Sequence, residues 1–241
     1  MKLLDEKFLS DLGFVRPNIV PYKQDNNEVK FIESDKNSPS AFLYLQNNSR
    51  WMCLNSNLFE VFNMYSHYKL ARGHCICTGM GFLLRENWLL SKKEVEKITV
   101  IEKNKFIIDY HKKFNPDILD KIEVIHMDAF DFKGKCDTFL ADNFEGPEHL
   151  EVAFLKAFKI MNENIKNEVS WMWPLESTLN KHYKNYIGLS LLEIYNNIKK
   201  FFELKTLPNL TEEELFEFCK IYYMGDFNKC DFSRIKDCEF K

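Results

Sequence analysis

The residues best suited to chemistry lie between positions 74 and 145. A short apolar run, 75–77, opens into Thr78-Gly79-Met80-Gly81-Phe82. Three more apolar runs follow. Run 98–101 ends on Glu102, run 122–127 on Asp128-Ala129-Phe130, and run 138–141 on Asp142. Glycines after the first run let the backbone turn sharply and approach a ligand with no Cβ in the way. Gly81 and Glu102 are 21 residues apart, close to the spacing at which an acidic side chain reaches ribose hydroxyls. A lone Gly-x-Gly is equally an ordinary strand-to-helix turn, and a lone Glu102 a helix-capping carboxylate. Together with Asp128 and Asp142 they point to a nucleoside-like ligand.

Such residues need elements that deliver them to one place. Short β-like runs alternate with helix-like segments at 83–91, 104–114 and 147–164. This pattern predicts an α/β fold, a Rossmann-like, doubly wound and mostly parallel sheet with helices on both faces. Ligands of such sheets bind outside the carboxyl ends of the strands, where these acids fall. Helix 104–114 turns Phe106, Ile107, Tyr110 and Phe114 inward, with Lys112 and Lys113 late, where cations suit the helix dipole. Helix 147–164 aligns Phe154, Phe158 and Met161 at helical spacing. A fifth strand, 168–173, ends in Trp171, Trp173 and Pro174, which divide between core and pocket wall.

Residues 1–12 read as a helix stopped by Gly13. Segments 28–33, 41–46 and 50–54 read as strands of a small antiparallel unit, with Asn47-Asn48-Ser49 as a turn. Alternation puts Phe42 with Tyr44, and Trp51 with Cys53, on one face of their strands. Helix 58–70 carries Leu58, Val61, Phe62, Tyr65 and Tyr68 along one side. That makes Tyr65, His67 and Tyr68 candidate substrate contacts, although such stripes more often serve packing. Beyond Pro174, 189–204 and 210–223 read as helices, the second opening on a capping box, Thr211-Glu212-Glu213-Glu214. The sheet edge needs covering, by these helices or by a second subunit, unless further strands lie in 187–194 or the tail. The resulting division is 1–67, a small β-rich unit; 68–175, the nucleoside-binding core; and 176–241, a mostly helical extension.

With 241 residues, 45% of them hydrophobic and 22 of them Phe, the chain can bury a substantial core. Net charge is −3 with scattered lysines, so no electrostatic footprint for a phosphate backbone is present, and no nucleic-acid partner is expected. No apolar run approaches the ~18 residues of a membrane span. Early charges at Lys2, Asp5 and Glu6 leave no signal-peptide core, and seven irregularly spaced cysteines suit a reducing, cytoplasmic setting. Cys75 and Cys77 read as small core residues. Cys219, Cys230 and Cys238 lack metal-ligand spacing, and no metal site is expected. There is no Gly-x-Ser-x-Gly turn of a serine hydrolase.

The order strand, Gly-x-Gly, helix, strand, Glu102, strand, Asp128-Ala129-Phe130, strand, Asp142 resembles the class I S-adenosylmethionine-dependent methyltransferases over roughly residues 68–175. The resemblance implies that the backbone of Thr78, Gly79 and Gly81 faces the methionine part and that Glu102 holds both ribose hydroxyls. It also implies that Asp128 accepts from the adenine amine, that Ala129 donates its N–H to the ring, and that Phe130 and Lys103 flank it. Gly81-Phe82-Leu83-Leu84-Arg85-Glu86 is similar to the turn of the spermidine synthases, which are aminopropyltransferases with a small β-rich N-terminal domain. Their fourth strand ends in two aspartates, one on the adenine side and one deprotonating the attacking amine. Here Asp142 matches the first and Glu145 approximately the second, which makes both the implied catalytic residues. The chain departs from these patterns at Cys75, where methyltransferases carry an acid, and at Cys77, their first glycine. It also departs at Met80 and Phe82, an aspartate and a glycine in aminopropyltransferases.

Three functions follow as expectations. The first is methyl transfer from S-adenosylmethionine to a small molecule or protein. The second is aminopropyl transfer from decarboxylated S-adenosylmethionine to an amine, or cleavage of the sulfonium. The third is non-catalytic nucleoside binding. A small-molecule partner and a homodimer fit these readings; a membrane partner does not.

Overall fold

The computed structural model describes residues 6–33, 39–44, 50–53, 61, 63–143, 151–185 and 188–223. The chain begins with helix α1 (Glu6–Asp11). An antiparallel meander follows, of strands β1 (Tyr22–Gln24), β2 (Asn27–Glu33), β3 (Pro39–Tyr44) and β4 (Arg50–Cys53). β1 is too short and polar to stand out in the sequence; pairing with β2 in the register Tyr22↔Val29 creates it. The expected turn at Asn47-Asn48-Ser49 and the helical residues Leu58 and Phe62 lie outside the described residues, as do the side chains of Phe42, Tyr44, Trp51 and Cys53.

The core alternates as the apolar runs predict. In order come α2 (Tyr65–Leu70), β5 (Gly73–Thr78), α3 (Leu84–Leu89), β6 (Val95–Glu102), α4 (Lys105–Phe114), α5 (Pro116–Leu119) and β7 (Glu123–His126). Then come β8 (Gly134–Lys135), β9 (Thr138–Ala141), α6 (Glu151–Asn164), β10 (Ile165–Lys166) and β11 (Val169–Met172). Five strands form one parallel sheet in the order β11-β9-β5-β6-β7. The first and fourth strands in chain order, β5 and β9, are therefore neighbours at its centre. Their connections leave in opposite directions, and that divergence opens a crevice at their carboxyl ends. Both central strands are buried on both faces, which is why they read as continuous apolar runs rather than alternating ones. β8 and β10 pair as a separate two-stranded ribbon, unforeseen because two residues carry no periodicity.

Helix α4 shows how sequence becomes packing. The Asn104 side chain accepts from Phe106 N at 2.9 Å and starts the helix, while Lys112 and Lys113 close it. Phe106, Ile107 and Tyr110 are buried as their spacing predicts. Tyr22 at the start of β1 stacks on Phe106 and meets Phe114 edge-on, with centroids 6.0 and 5.3 Å away. The N-terminal sheet therefore reaches the core through α4.

Beyond β11 the chain is helical: α7 (Leu175–Asn185), α8 (Leu191–Phe201) and α9 (Glu212–Tyr223). The capping box at Thr211 forms, with Thr211 N and Glu214 N donating to the other residue's side chain at 2.8 and 3.2 Å. A second one, Ser190 with Glu193, starts α8. α7 had no counterpart among the expected elements, since its first turns bury Glu176, Ser177, Thr178 and Asn180 beside Leu175 and Leu179, so polarity and burial do not coincide there. The exposed edge of β11 is met by the α8–α9 connection, where Ser170 N donates to Thr206 O at 2.9 Å. A loop, rather than a helix or a further strand, satisfies that edge.

Trp88 locks the N-terminal helices to α3. It is buried, stacks on Tyr68 at 4.5 Å, meets Phe14 edge-on at 5.6 Å and donates from Nε1 to Leu12 O at 3.2 Å. Trp88→Ala is expected to cost about 3–5 kcal/mol in urea denaturation, the range for an emptied aromatic site. Trp88→Phe should cost clearly less; equal losses would show that the ring's packing is not what matters.

Candidate functional site

The crevice predicted by the strand order is present. Gly79, Ile101, Glu102, Lys103, Asn104, Ile107, Asp128, Ala129, Phe130, Asp142 and Asn143 line an open cleft. These residues come from the ends of β5, β6, β7 and β9 and the first turn of α4. Of the residues singled out in the sequence, Gly79, Glu102, Lys103, Asp128, Ala129, Phe130 and Asp142 share this one wall. Asp128 Oδ1 accepts from Phe130 N at 3.0 Å, a local turn that carries Ala129 and Phe130 along the cleft rim. Phe130 and Lys103 are exposed and Ala129 is buried, an arrangement that leaves an aromatic face and a long aliphatic stem for a flat ring.

Side chains hold the glycine turn from behind. Gly79 and Gly81 have φ of +74° and +53°. A Cβ on Gly79 would stand 2.1 Å from the Asp142 carbonyl oxygen, so any other residue would force the ends of β5 and β9 apart. Glu102 is buried, and its two oxygens accept from Met80 N at 2.9 Å and Asn104 N at 2.6 Å. Burial raises its pKa, and those amides oppose the rise. The Lys103 amide also bonds the carboxylate, and the acceptor capacity that these three amides leave is open to a ligand. Arg85 is buried under the turn. Its Nη2 donates to Gly79 O at 2.6 Å and Thr78 O at 3.3 Å, and its Nε to Glu86 Oε1 at 2.8 Å. Burial is the largest influence and disfavours the guanidinium charge, but Glu86, Cys77 and Asp142 together outweigh it and hold the proton on.

Thr78 lies behind the cleft, donating from Oγ1 to Asn143 Oδ1 at 2.8 Å, and Gly81 meets the cleft only through the turn. Asp142 opens onto the cleft with Arg85 Nη1 3.9 Å from its Oδ2. Burial raises its pKa, with Arg85 opposing. Glu145 and the rest of 144–150 lie outside the described residues. The three candidates on α2 do not reach the cleft wall. Tyr65 donates to Glu217, Tyr68 stacks on Trp88, and His67 is fully buried with neither ring nitrogen hydrogen-bonded. Burial, and then Arg85, keeps His67 neutral. Trp171 is fully buried within β11, and Trp173, just past its end, is half-buried. Cys75 and Cys77 are buried core residues. Among the described residues, no group of three His, Cys, Asp or Glu is arranged to hold a metal ion.

Glu176 was not singled out in the sequence, because nothing in its spacing separates it from a surface acid. It is buried at the start of α7, its Oε1 accepting from Trp171 Nε1 at 2.7 Å and from Ser66 Oγ. Its Oε2 has no hydrogen-bond partner. Burial pushes its pKa to about 7, against Ser66 and Trp171, which oppose the rise. Below pH 4.5 the carboxyl is protonated in both the folded and unfolded chain and costs nothing. As pH rises towards 7 the unfolded chain ionises first, so stability is lost. Glu176→Gln is therefore expected to remove a stability loss of up to about 3 kcal/mol between pH 4.5 and 7, read from urea curves across that window. An unchanged pH slope in the variant would show that Glu176 ionises normally.

No family model matches the chain, and no curated protein matches it. Solved structures do. Spermidine synthase from Thermotoga maritima aligns at 16% identity and a TM-score of 0.42, over 65% of this chain and 56% of that one. A spermidine synthase in complex with the transition-state analogue AdoDATO aligns at 16% and 0.41, over 65% and 55%. A 23S rRNA methyltransferase aligns at 15% and 0.35, over 52% and 49%. The chain thus spans about half the length of these proteins, and the likeness is one of fold. The five-stranded parallel sheet with its flanking helices is an α/β, Rossmann-like arrangement. Among the described residues the main sheet stops at its fifth strand.

Proposed function

We propose that the chain is a transferase that uses S-adenosylmethionine and moves its methyl group to a small molecule or protein. The observation that carries this reading is the cleft wall. An acid at the end of β6, an Asp-Ala-Phe corner at the end of β7 and a second acid at the end of β9 converge on one crevice beside a glycine turn. In this reading Glu102 takes the ribose hydroxyls on its remaining acceptor positions. Asp128 takes the adenine amine, Ala129 N–H meets the ring, and Phe130 with Lys103 encloses it. When bound, the group supplies an electrophilic carbon on a sulfonium. The chain's part is to place a nucleophile in line with that carbon and to orient or deprotonate it, with Asp142 as the carboxylate facing the cleft. Asp142 suits this work because burial lifts its proton affinity, towards that of a nucleophile it would relieve of a proton.

A second reading, aminopropyl transfer from decarboxylated S-adenosylmethionine, is favoured by one observation. A carboxylate, Asp142, stands at the Gly79 end of the cleft, which suits an ammonium better than the carboxylate of an intact methionine part. Three ligands separate the readings in a thermal shift. At a hundred times its dissociation constant a ligand adds ~2.7 kcal/mol, or about 5–10 °C for a chain of this size. Stabilisation by S-adenosylmethionine and its demethylated product beyond that by methylthioadenosine supports methyl transfer; the reverse supports aminopropyl transfer. No shift with any of the three would overturn the nucleoside reading.

Glu102→Ala and Asp128→Ala are each expected to weaken binding of the demethylated product about tenfold or more in calorimetry, the loss of at least one charge-assisted hydrogen bond. Unchanged affinity in both would remove the site from this cleft. Asp142→Asn should lower turnover far more than affinity if the carboxylate takes part in the chemistry.

A further inference from the structure

Behind the glycine turn, on the side away from the cleft, a buried polar chain crosses an otherwise apolar helix face. His111 lies on α4, four residues from Ile107 on the cleft wall, and is fully buried. Its Nε2 donates to Gly81 O at 2.8 Å, and its Nδ1 accepts from Asn115 Nδ2 at 3.1 Å. The tautomer follows from the partners: a carbonyl needs a donor, so the proton sits on Nε2. Burial lowers the His111 pKa to about 4, against the Gly81 carbonyl, which opposes the fall, so the ring is neutral at ordinary pH. Asn115 in turn grips the N-terminal segment. Its Oδ1 accepts from Asn18 N at 2.8 Å and its Nδ2 donates to Asn18 O at 2.8 Å. Two residues on, Val20 N donates to the Tyr110 hydroxyl at 2.7 Å and Val20 O accepts from it at 3.0 Å. The segment leading into the small sheet is thus bonded, through two side chains of α4, to the backbone of the ligand turn.

We infer that His111 is a positioning residue: it fixes the Gly81 carbonyl, and with it the left-handed turn that lays backbone against the cleft, and Asn115 couples that carbonyl to the docked N-terminal segment. Gly81 has φ +53°, a conformation that glycine adopts about as readily as many others. A buried donor aimed at its carbonyl selects one of them. A leucine at 111 would leave the partly buried Gly81 O without its donor and release the turn. The part of this inference that concerns ligand affinity rests on reading the cleft as a nucleoside site; the part that concerns the turn does not.

The test compares His111→Leu, His111→Asn and His111→Gln in the full chain. Glutamine keeps both a donor at the reach of Nε2 and an acceptor for Asn115; asparagine is too short for Gly81. Each variant is first shown folded by its melting curve, with asparagine serving should leucine fail to fold. Without ligand, the amide resonances of Gly79, Met80, Gly81 and Phe82 should move in the leucine and asparagine variants and return in the glutamine variant. The wild-type ring should show the Nε2-protonated tautomer across pH 6–8. With S-adenosylhomocysteine as the probe, affinity should fall about tenfold in leucine and asparagine and recover in glutamine. Turn resonances unmoved by leucine or asparagine would overturn the inference, as would full affinity despite a displaced turn. Failure of the wild-type chain to bind the probe would overturn the nucleoside reading instead, while the ligand-free resonances still decide the role of His111.

Discussion

The arrangement depends on a guanidinium buried beneath a backbone turn. Removing Arg85 from water is costly, and its cost is offset by an ion pair with Glu86 at 2.5 Å and by two carbonyls, those of Thr78 at the end of β5 and of Gly79 in the left-handed turn. The turn needs the cation as much as the cation needs the turn. Gly79, Gly81 and Leu83 all have positive φ, and the third is a leucine, for which that conformation costs about 1–3 kcal/mol. Such a backbone persists only when its surroundings over-determine it. Here the Thr78 and Gly79 carbonyls accept from Arg85, Met80 N donates to Glu102, and the Met80 carbonyl accepts from Leu83 N.

This arrangement explains how a turn with few glycines still forms. Cys77 and Met80 stand where the resembling families carry a glycine and an aspartate, yet both side chains are buried and leave the backbone path free. Glu102 serves twice in consequence, as the acceptor that orders Met80 N and as a wall of the cleft. A polar group that is half spent on the protein's own backbone is rigid before a ligand arrives. Rigidity of that kind is what a binding site gains from a well-ordered second layer. The same economy leaves residues uncommitted elsewhere: Glu176 Oε2, both nitrogens of His67 and Arg85 Nη1 are buried without hydrogen-bond partners. They lie on α7, α2 and α3, whose electrostatic influence meets around Asp142 and Arg85.

The alternation of elements and the acids of the cleft wall are legible in the residues alone. Parallel strands buried on both faces must be continuous apolar runs, and acids just past such runs must fall at one end of the sheet. That is why Glu102, Asp128 and Asp142 were legible from one dimension. α4 was legible for the same reason, its inward residues repeating with the helical period. What only the tertiary structure decided is which polar residues face inward and whom they meet. His111, Asn115 and Glu176 look like surface residues in the sequence, because Gly81, Asn18 and Ser66, which they meet, are dozens of positions away; Arg85 does so because only the folded turn aims the nearby Thr78 and Gly79 carbonyls at it. His111 carried a faint signal, a polar residue on the inward face of α4, four positions from Ile107. Glu176 carried none, since it is one of four polar residues buried in the first two turns of α7, where polarity does not mark the solvent side. The edge of β11 was likewise settled in three dimensions, by one carbonyl at Thr206. Hydrophobic pattern is local and periodic, so the sequence displays it; hydrogen-bond partnership is neither, so the fold has to reveal it.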